Sequence, residues 1–513
     1  MFILTADQMK TADGYAIHTL GIPGATLMGR AAQGIAETIA EMTPNARRAV
    51  LVCGSGNNGG DGLALAGILA RGGVSVTVVL SSARALSEDA AYYFNRLPEQ
   101  VRTLRFTDDS AACLREIAGA DIAVDALYGT GFRGSLTGAA AELAAAMNAS
   151  AASVCSVDIP SGCNCDTGAA EGVAVQADYT VTFSNKKPCH FLYPAAGLCG
   201  KIVVKDIGIP TKSVLAATPY ICETTDQDIA ALLRSRPQNS HKGTFGRLGL
   251  VCGSDDMPGA AALAVSAALR SGVGLAELAS VPSVVQRVSG RFSEPVYLTL
   301  AQAGGRISAE ALDALRGLCG RAQALVVGCG LGGGDTVGRT VMALTEAAQC
   351  PILIDADGIT ALNGNIHVIK NRRVETVLTP HPREMARLCG LTVEQVQQDR
   401  LGVARTLAKE TGAVVVLKGA NTVIALPDGR IRINPVANSG LAKGGSGDVL
   451  SGLIGSLLAQ GYPAEEAAVI GVYIHGRAGL LAAAELTEYA MQPSDLVSYF
   501  SKVFKRIIEQ NGE

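Results

Sequence analysis

The sequence predicts two α/β domains in tandem, and three observations carry that prediction. Short apolar runs, among them Arg48 to Cys53 and Ala324 to Gly328, repeatedly end in glycine-rich turns followed by stretches with helical periodicity. That alternation lapses once, from Thr211 to Lys242, into Thr, Ser, Pro, Asp and Gln with one short helical stretch around Asp228 to Arg234. The chain is also 513 residues long, more than one hydrophobic core usually organises. The domain boundary is expected near residue 225, giving domains over 1–224 and 225–513.

Composition narrows the function classes. Apolar residues make up 48% and charged residues 17%, with 60 glycines and no tryptophan, as in a Gly/Ala/Val-rich α/β protein. A net charge of -3 provides no electrostatic footprint for nucleic acid or an anionic membrane. Met1 to Lys10 lacks a basic segment leading into an apolar one, and no uninterrupted apolar run approaches the roughly 20 residues of a membrane span. A cytoplasmic homo-oligomer acting on small molecules, with neither nucleic acid nor membrane as partner, is the expectation. The 13 cysteines are scattered and odd in number, which suits buried free thiols. Cys163 and Cys165 lack a second pair at zinc-site spacing.

In the first half, helical patterns over Thr5 to Leu20 and Thr26 to Glu41 precede the strand Arg48 to Cys53. The strand runs into Gly54-Ser55-Gly56-Asn57-Asn58-Gly59-Gly60-Asp61-Gly62 and then a helix to Leu69. This strand, glycine turn and helix match the dinucleotide fingerprint only in part, because the next strand, Val74 to Leu80, ends in Ser81-Ser82-Ala83-Arg84 with no acid for a ribose hydroxyl. A standard NAD-dependent dehydrogenase is disfavoured. Asn57, Asn58 and Asp61 add side-chain oxygen suited to a hard cation such as K⁺ or Mg²⁺. Two further strand ends carry Asp125-Ala126-Leu127-Tyr128-Gly129-Thr130-Gly131-Phe132-Arg133-Gly134 and Asp158-Ile159-Pro160-Ser161-Gly162. Singly, each aspartate reads equally as a cap or turn former; three motifs beyond the carboxyl ends of strands, where open parallel sheets bind ligands, favour function.

In the second half, Gly246 to Ser254 opens a new alternation, followed by an Ala-rich helix from Gly259 to Arg270 and strands Gly274 to Val281, Ala324 to Gly328, Pro351 to Asp355, Val374 to Leu378 and Val414 to Leu417. Polar groups again collect at strand ends: the glycine loop Gly328 to Gly334, Asp355-Ala356-Asp357-Gly358, Thr379-Pro380-His381-Pro382-Arg383-Glu384-Met385 and the tight turn Lys418-Gly419-Ala420-Asn421-Thr422. Taken alone, His381 and Lys418 read as structural residues. Their weight comes from Asn438 to Gly452, where Gly444, Gly445 and Gly447 allow the backbone to approach an anion at a helix start. Asp448 follows at once. A carboxylate facing a phosphate needs a proton to take or a metal to hold, which points to a general base beside a phosphoryl donor; a plain helix N-cap is the alternative.

The first-half motifs, together with Asn185-Lys186-Lys187-Pro188 and Asp206-Ile207-Gly208-Ile209-Pro210, resemble the YjeF N-terminal domain. Its members are NAD(P)H-hydrate epimerases, which implies a Rossmann-like three-layer sandwich. The resemblance implies that Asn58, Asp125 and Ser161 hold K⁺, and that Asn58, Gly59, Gly60, Asp61 and Gly62, then Gly129, Thr130, Gly131, Phe132, Arg133, Gly134 and Ser135, and Asp158 contact the hydrated cofactor. Asp158 would do acid/base work at C6. One departure is Gly29, where relatives usually carry Glu.

The second-half motifs, with His241-Lys242-Gly243 and Pro258-Gly259-Ala260-Ala261, resemble the ribokinase-like ADP/ATP-dependent NAD(P)H-hydrate dehydratases over nearly all of 226–510. Relatives commonly have Pro at Cys329 and Thr at Ser446. The resemblance implies a ribokinase-like α/β sandwich in which Lys418, Gly419, Ala420, Asn421, Thr422 and Gly447 bind ADP or ATP, while Ala261, Gly332, His381 and Asp448 bind the hydrate, with Mg²⁺ as cofactor. The expected function is therefore epimerisation of R and S NAD(P)H hydrates and nucleotide-dependent dehydration of the S form. A hydroxymethylpyrimidine or hydroxyethylthiazole kinase fused to a ligand-binding module is the alternative, and a scaffold role for the N-terminal fold a third.

Overall fold

The computed structural model describes residues 1–511, and the chain divides into two compact units, Met1–Ile221 and Cys222–Glu513. In the first unit seven strands form one wholly parallel sheet: β1 (Arg48–Cys53), β2 (Ser75–Leu80), β3 (Arg102–Arg105), β4 (Ile122–Ala126), β5 (Ser153–Val157), β6 (Tyr179–Phe183) and β7 (Lys201–Lys205). Their spatial order is β3-β2-β1-β4-β5-β6-β7. Most read as unbroken apolar runs because helices cover both faces. On one face lie Ala31, Ile35 and Ile39 of α2 (Gly24–Met42) with Leu63 and Leu65 of α3 (Asn57–Arg71); on the other lie Ile117, Leu143 and Met147. Two apolar clusters about one sheet make three layers, each fully buried Leu or Ile contributing about 1.5–3 kcal/mol.

Strand order reverses between β1 and β4, and the loops leaving these strands meet there. A Cβ on Gly54 would collide with the carbonyl of Leu127, so this close approach requires glycine. α3 is likewise drawn down onto the sheet: a Cβ at Gly62 would stand 2.7 Å from Ala126 Cβ and 2.9 Å from Cys53 Sγ. The glycines of the first turn therefore serve packing as well as any ligand.

The second unit is built on β8 (Arg247–Val251), β9 (Leu275–Ser280), β10 (Val296–Thr299), β11 (Ala324–Val327), β12 (Ile352–Ile354), β13 (Thr376–Leu378), β14 (Val414–Leu417), β15 (Val423–Ala425) and β16 (Ile431–Ile433). The order β16-β15-β14-β13-β12-β11-β8-β9-β10 is parallel from β14 to β10, and the β14–β15 and β15–β16 pairs are antiparallel. Here the order reverses between β8 and β11. Pro258 and Pro382 occupy first-turn positions of α4 (Pro258–Arg270) and α5 (Pro382–Cys389), where a missing N–H costs nothing. α6 (Ser446–Ala459) is buried almost all round; Gly452 lets it touch the backbone of Ala264 on α4. α7 (Ala464–Ala490) is long and apolar enough to cross a bilayer, yet 72% of its most apolar window is buried, as in a core helix.

Candidate active sites

In the first unit the reversal point gathers the strand-end residues. Asp125, wholly buried at the end of β4, accepts hydrogen bonds from Ser156 Oγ (2.9 Å), Ser161 N (2.8 Å), Ser161 Oγ (2.6 Å) and Leu127 N (3.3 Å). Desolvation still pushes its carboxyl pKa up. Tyr128 N donates to Ser161 Oγ at 2.9 Å, and a Cβ on Gly129 would stand 3.3 Å from Asn58 Oδ1. Asn58, Asp125 and Ser161 thus meet through the Tyr128–Gly129 turn. Their oxygens, with one negative charge among them, form the kind of donor set a hard cation takes.

Asp158 follows β5 with φ 69°, a left-handed backbone that few non-glycine residues adopt. Its Oδ1 receives the ammonium of the buried Lys187 and the hydroxyl of Thr182 (2.8 Å). Lys187 Nζ also donates to Thr182 Oγ1 (2.8 Å) and Phe183 O (3.3 Å). His190 locks the same backbone. Its Nδ1 accepts from Lys187 N (3.0 Å), so Nε2 carries the proton and donates to the Asp158 carbonyl (3.0 Å). Burial lowers the ring's pKa to about 4, with the Lys187 charge adding to it, so the imidazole is neutral. Oδ2 of Asp158 has no protein donor among the described residues.

Two more carboxyls face this pair. Desolvation, then the charges of Asp158 and Asp13, push Asp61 well above the usual carboxylate range, and desolvation raises Asp13 of α1 (Ala6–Gly14) to about 6. An ion pair beside two carboxyls of raised pKa is an arrangement suited to moving protons. Lys187, Thr182, His190 and Asp13 escape a reading based on strand-end aspartates, although Asn185 to Pro188 stands out as a motif. Arg133 is spent elsewhere: Nη2 pairs with Asp166 at 2.9 Å, and Nη1 closes the loop on the carbonyls of Thr130 and Phe132. The Phe132 ring rests on Tyr128 at 5.2 Å between centroids. At Gly29 a Cβ would stand 2.5 Å from Tyr93 Oη, whose hydroxyl donates to Ala25 O (2.7 Å).

In the second unit, Gly445 takes φ 102° at the N-cap of α6, and Asp448 sits in the first turn. Asp448 is therefore not the cap. Desolvation and the charge of Asp355 raise its carboxyl to about 6, opposed by a hydrogen bond from the Cys329 thiol. Asp355, buried just beyond β12, holds Lys418 Nζ on Oδ1 at 2.6 Å and Ser451 Oγ on Oδ2 at 2.8 Å. Desolvation works to raise Asp355, but Lys418 and these hydrogen bonds win and leave it below its ordinary value. Lys418, at the end of β14, is desolvated too, yet Asp355 and Glu384 hold its pKa up. A Cβ on Gly447 would lie 3.3 Å from that ammonium, so anion loop and lysine converge.

His381 caps α5: Nδ1 accepts from Arg383 N (3.1 Å) and Glu384 N (3.2 Å), while Glu384 Oε2 accepts from His381 N (2.8 Å). The proton therefore resides on Nε2, and desolvation with the Lys418 charge keeps the ring's pKa low. Gly332 N donates to Asp357 Oδ2 (2.8 Å), and Ala261 is buried on α4 with its Cβ 3.0 Å from where a Cβ on Gly253 would be. The Lys418–Thr422 turn joins β14 to β15 with Asn421 at φ 53° and Thr422 Oγ1 on Gly419 O (3.0 Å). Arg400, absent from the sequence reading, braces it from behind through Leu417 O (3.1 Å) and Lys418 O (3.2 Å). Asp355 as the partner of Lys418, and Ser451 as a further donor to Asp355, also escape the sequence reading, although Asp355 stands out as a strand-end acid.

Comparison with known proteins places both units. Residues 248–502 match the family model described as NAD(P)H-hydrate dehydratase, and residues 24–189 match that of the YjeF-related protein N-terminus. A bifunctional NAD(P)H-hydrate repair enzyme of Moorella thermoacetica is 37% identical over 521 residues, 99% of this chain and 98% of that one. One from Thermofilum pendens is 37% identical over 513 residues, 99% of this chain and 97% of its own. A crystal structure of a ribokinase-like superfamily protein from Enterococcus faecalis aligns with a TM-score of 0.50 and 26% identity, covering 56% of this chain and 96% of that one.

Proposed function

We infer the division of labour in this chain from one premise: it belongs to the family of bifunctional NAD(P)H-hydrate repair enzymes. It repairs hydrated nicotinamide cofactor in two steps, epimerising the R and S hydrates in the first unit and dehydrating a hydrate at the expense of ADP or ATP in the second. The observation that carries the site assignment is Asp448, a desolvated carboxyl in the first turn of α6 directly after a glycine loop and beside Lys418.

In the second unit Asp448 takes the proton of the C6 hydroxyl as that oxygen attacks the terminal phosphoryl. Lys418 and the N–H groups of the Gly444–Gly447 loop stabilise charge on the phosphoryl oxygens, and the phosphorylated hydroxyl leaves as phosphate while C5 gives up a proton to solvent, restoring the C5–C6 double bond. Hydroxide leaves poorly and phosphate leaves well, which explains why a dehydration consumes a nucleotide. Lys418, Gly419, Ala420, Asn421, Thr422 and Gly447 hold the nucleotide; Ala261, Gly332, His381 and Asp448 hold the S hydrate, His381 as a neutral Nε2–H donor. Asp355 is occupied by Lys418 and Ser451, so Mg²⁺ would arrive on the nucleotide's phosphates, with Asp357 and Asp448 as the nearby oxygens, and would supply further positive charge there.

In the first unit Asp158 moves the proton at C6. Lys187 and Thr182 both hold Oδ1, which aims the free Oδ2 at substrate, while Asn58 to Gly62 and Gly129 to Ser135 line the cofactor's path. Asn58, Asp125 and Ser161 would hold K⁺, which supplies fixed positive charge for the phosphates. A cytoplasmic setting fits the cysteines, all free, and a homo-oligomer is proposed with it. The test is to offer pure R or S hydrate of NADH with ADP or with ATP and follow the return of dihydronicotinamide absorbance. No recovery with either nucleotide rejects the dehydratase, and a stable phosphorylated product would favour the vitamin-precursor kinase instead.

A further inference from the structure

Beside the two aspartates of the second site stands a thiol that the dehydration does not use. Cys329, Asp355 and Asp448 come from three separate elements, the ends of β11 and β12 and the first turn of α6, yet their ligand atoms all lie within 4.8 Å of one another. The Cys329 thiol donates to Asp355 Oδ2 at 4.0 Å and lies close enough to Asp448 to lower its carboxyl pKa. A second thiol, Cys252, lies against Cys329 on the neighbouring strand end, where Gly253 N donates to Cys329 O at 2.8 Å. We propose that Cys329, Asp355 and Asp448 form a binding site for a thiophilic divalent cation of the Zn²⁺ class, and that filling it shuts off the dehydratase.

The donor set decides the class of ion. Mg²⁺ takes oxygen ligands in octahedral array and gains nothing from sulfur; Zn²⁺ takes thiolate and carboxylate together in a tetrahedron. With Zn–S near 2.3 Å and Zn–O near 2.0 Å, neighbouring ligand atoms in such a tetrahedron stand roughly 3.5 Å apart. The 4.0 Å between Cys329 Sγ and Asp355 Oδ2 is within about half an ångström of that. Asp355 Oδ2 accepts from Ser451 and keeps a second lone pair, while Oδ1 stays with Lys418. Binding forms a Zn–S bond and releases the thiol proton to solvent; the fourth position goes to water. Three anionic ligands then outweigh the single ammonium of Lys418. The consequence for catalysis rests on the dehydratase reading, because the metal occupies the lone pair with which Asp448 would accept the hydroxyl proton.

The experiment titrates the full-length chain with Cd²⁺, a spectroscopic stand-in for Zn²⁺, and reads the ultraviolet thiolate-to-metal charge-transfer band, which reports binding whatever the enzyme's activity. Wild type should show a saturable band at one equivalent, absent from Cys329→Ala and at least tenfold weaker in affinity in Asp448→Asn, with Cys163→Ala as the buried-cysteine control that keeps it. A band of equal strength and affinity in Cys329→Ala overturns the proposal, as does no band in wild type. Zn²⁺ should inhibit hydrate repair reversibly on chelation, and the inhibition constant should rise at least tenfold in Cys329→Ala, each variant being measured against its own zinc-free rate. Equal inhibition of both proteins overturns the regulatory part.

Discussion

The ammonium of Lys418 lies 2.6 Å from Oδ1 of Asp355. This pairing sets the two carboxylates of the second site apart electrostatically. Asp355 neutralises the cation and is held down in pKa, whereas Asp448, a few ångströms away, is left without a positive partner of its own and is pushed up. The proposed mechanism uses the first as counter-ion to Lys418 and the second as the proton acceptor.

Asp448→Asn should therefore keep nucleotide binding and lose turnover by about 10²–10⁴-fold, the usual cost of removing a general base. Equilibrium binding of ADP alongside the repair assay separates the two effects. Retained turnover would remove Asp448 from the chemistry.

The pH profile follows from the same residue. A base whose carboxyl titrates at about 6 is disabled as pH falls through that value, so dehydratase kcat/KM should drop about tenfold per pH unit on the acid side of 6. The stability effect has the opposite sign. A folded pKa raised above the unfolded value of 3.8 stabilises the fold fully below 3.8, and that contribution is lost as pH rises through 6. Asp448→Asn should consequently be more stable than wild type at pH 8, by about 1–3 kcal/mol, with the gain gone below about pH 4. Urea unfolding at the two pH values measures it.

In the first unit, Asp158→Asn tolerates the left-handed backbone, since Asn shares that tolerance, and should abolish epimerisation while leaving S hydrate repairable. Lys187→Met should do the same by releasing Oδ1. Chiral separation of residual hydrate after exhaustive treatment is the readout; consumption of both epimers above the spontaneous rate would contradict the assignment.

Gly59→Ala drives a Cβ into the carbonyl of Gly54 and should cost about 1–3 kcal/mol of first-unit stability along with epimerase activity. Dehydration of pure S hydrate, measured in the same preparation, should be unaffected. Loss of both activities would show that the first unit's packing is not a local matter.

Much of the fold is legible in the sequence because parallel strands buried on both faces must be apolar along their length and must end in turns. Strands such as Ser153–Val157 and Val414–Leu417 stand where that pattern places them. Asp125, Asp158 and Asp448 stand out in the sequence because each stands at a strand end or directly after a glycine loop. Their partners do not. Lys187 meets Asp158 from 29 positions away, and Lys418 meets Asp355 from 63. Nothing local in Asn185 to Pro188 says which carboxylate the lysine faces, because that is set by how β5 and β6 lie side by side. The partner of Arg133 is equally invisible in the sequence: Asp166 pairs with it from 33 positions away.

Tyr93 and Gly29 occupy the same space, since any side chain at 29 begins 2.5 Å from the phenol oxygen. A side chain added at 29 would therefore push the phenol off the Ala25 carbonyl that now anchors it, and α2 would lose that tie to the Tyr93 ring.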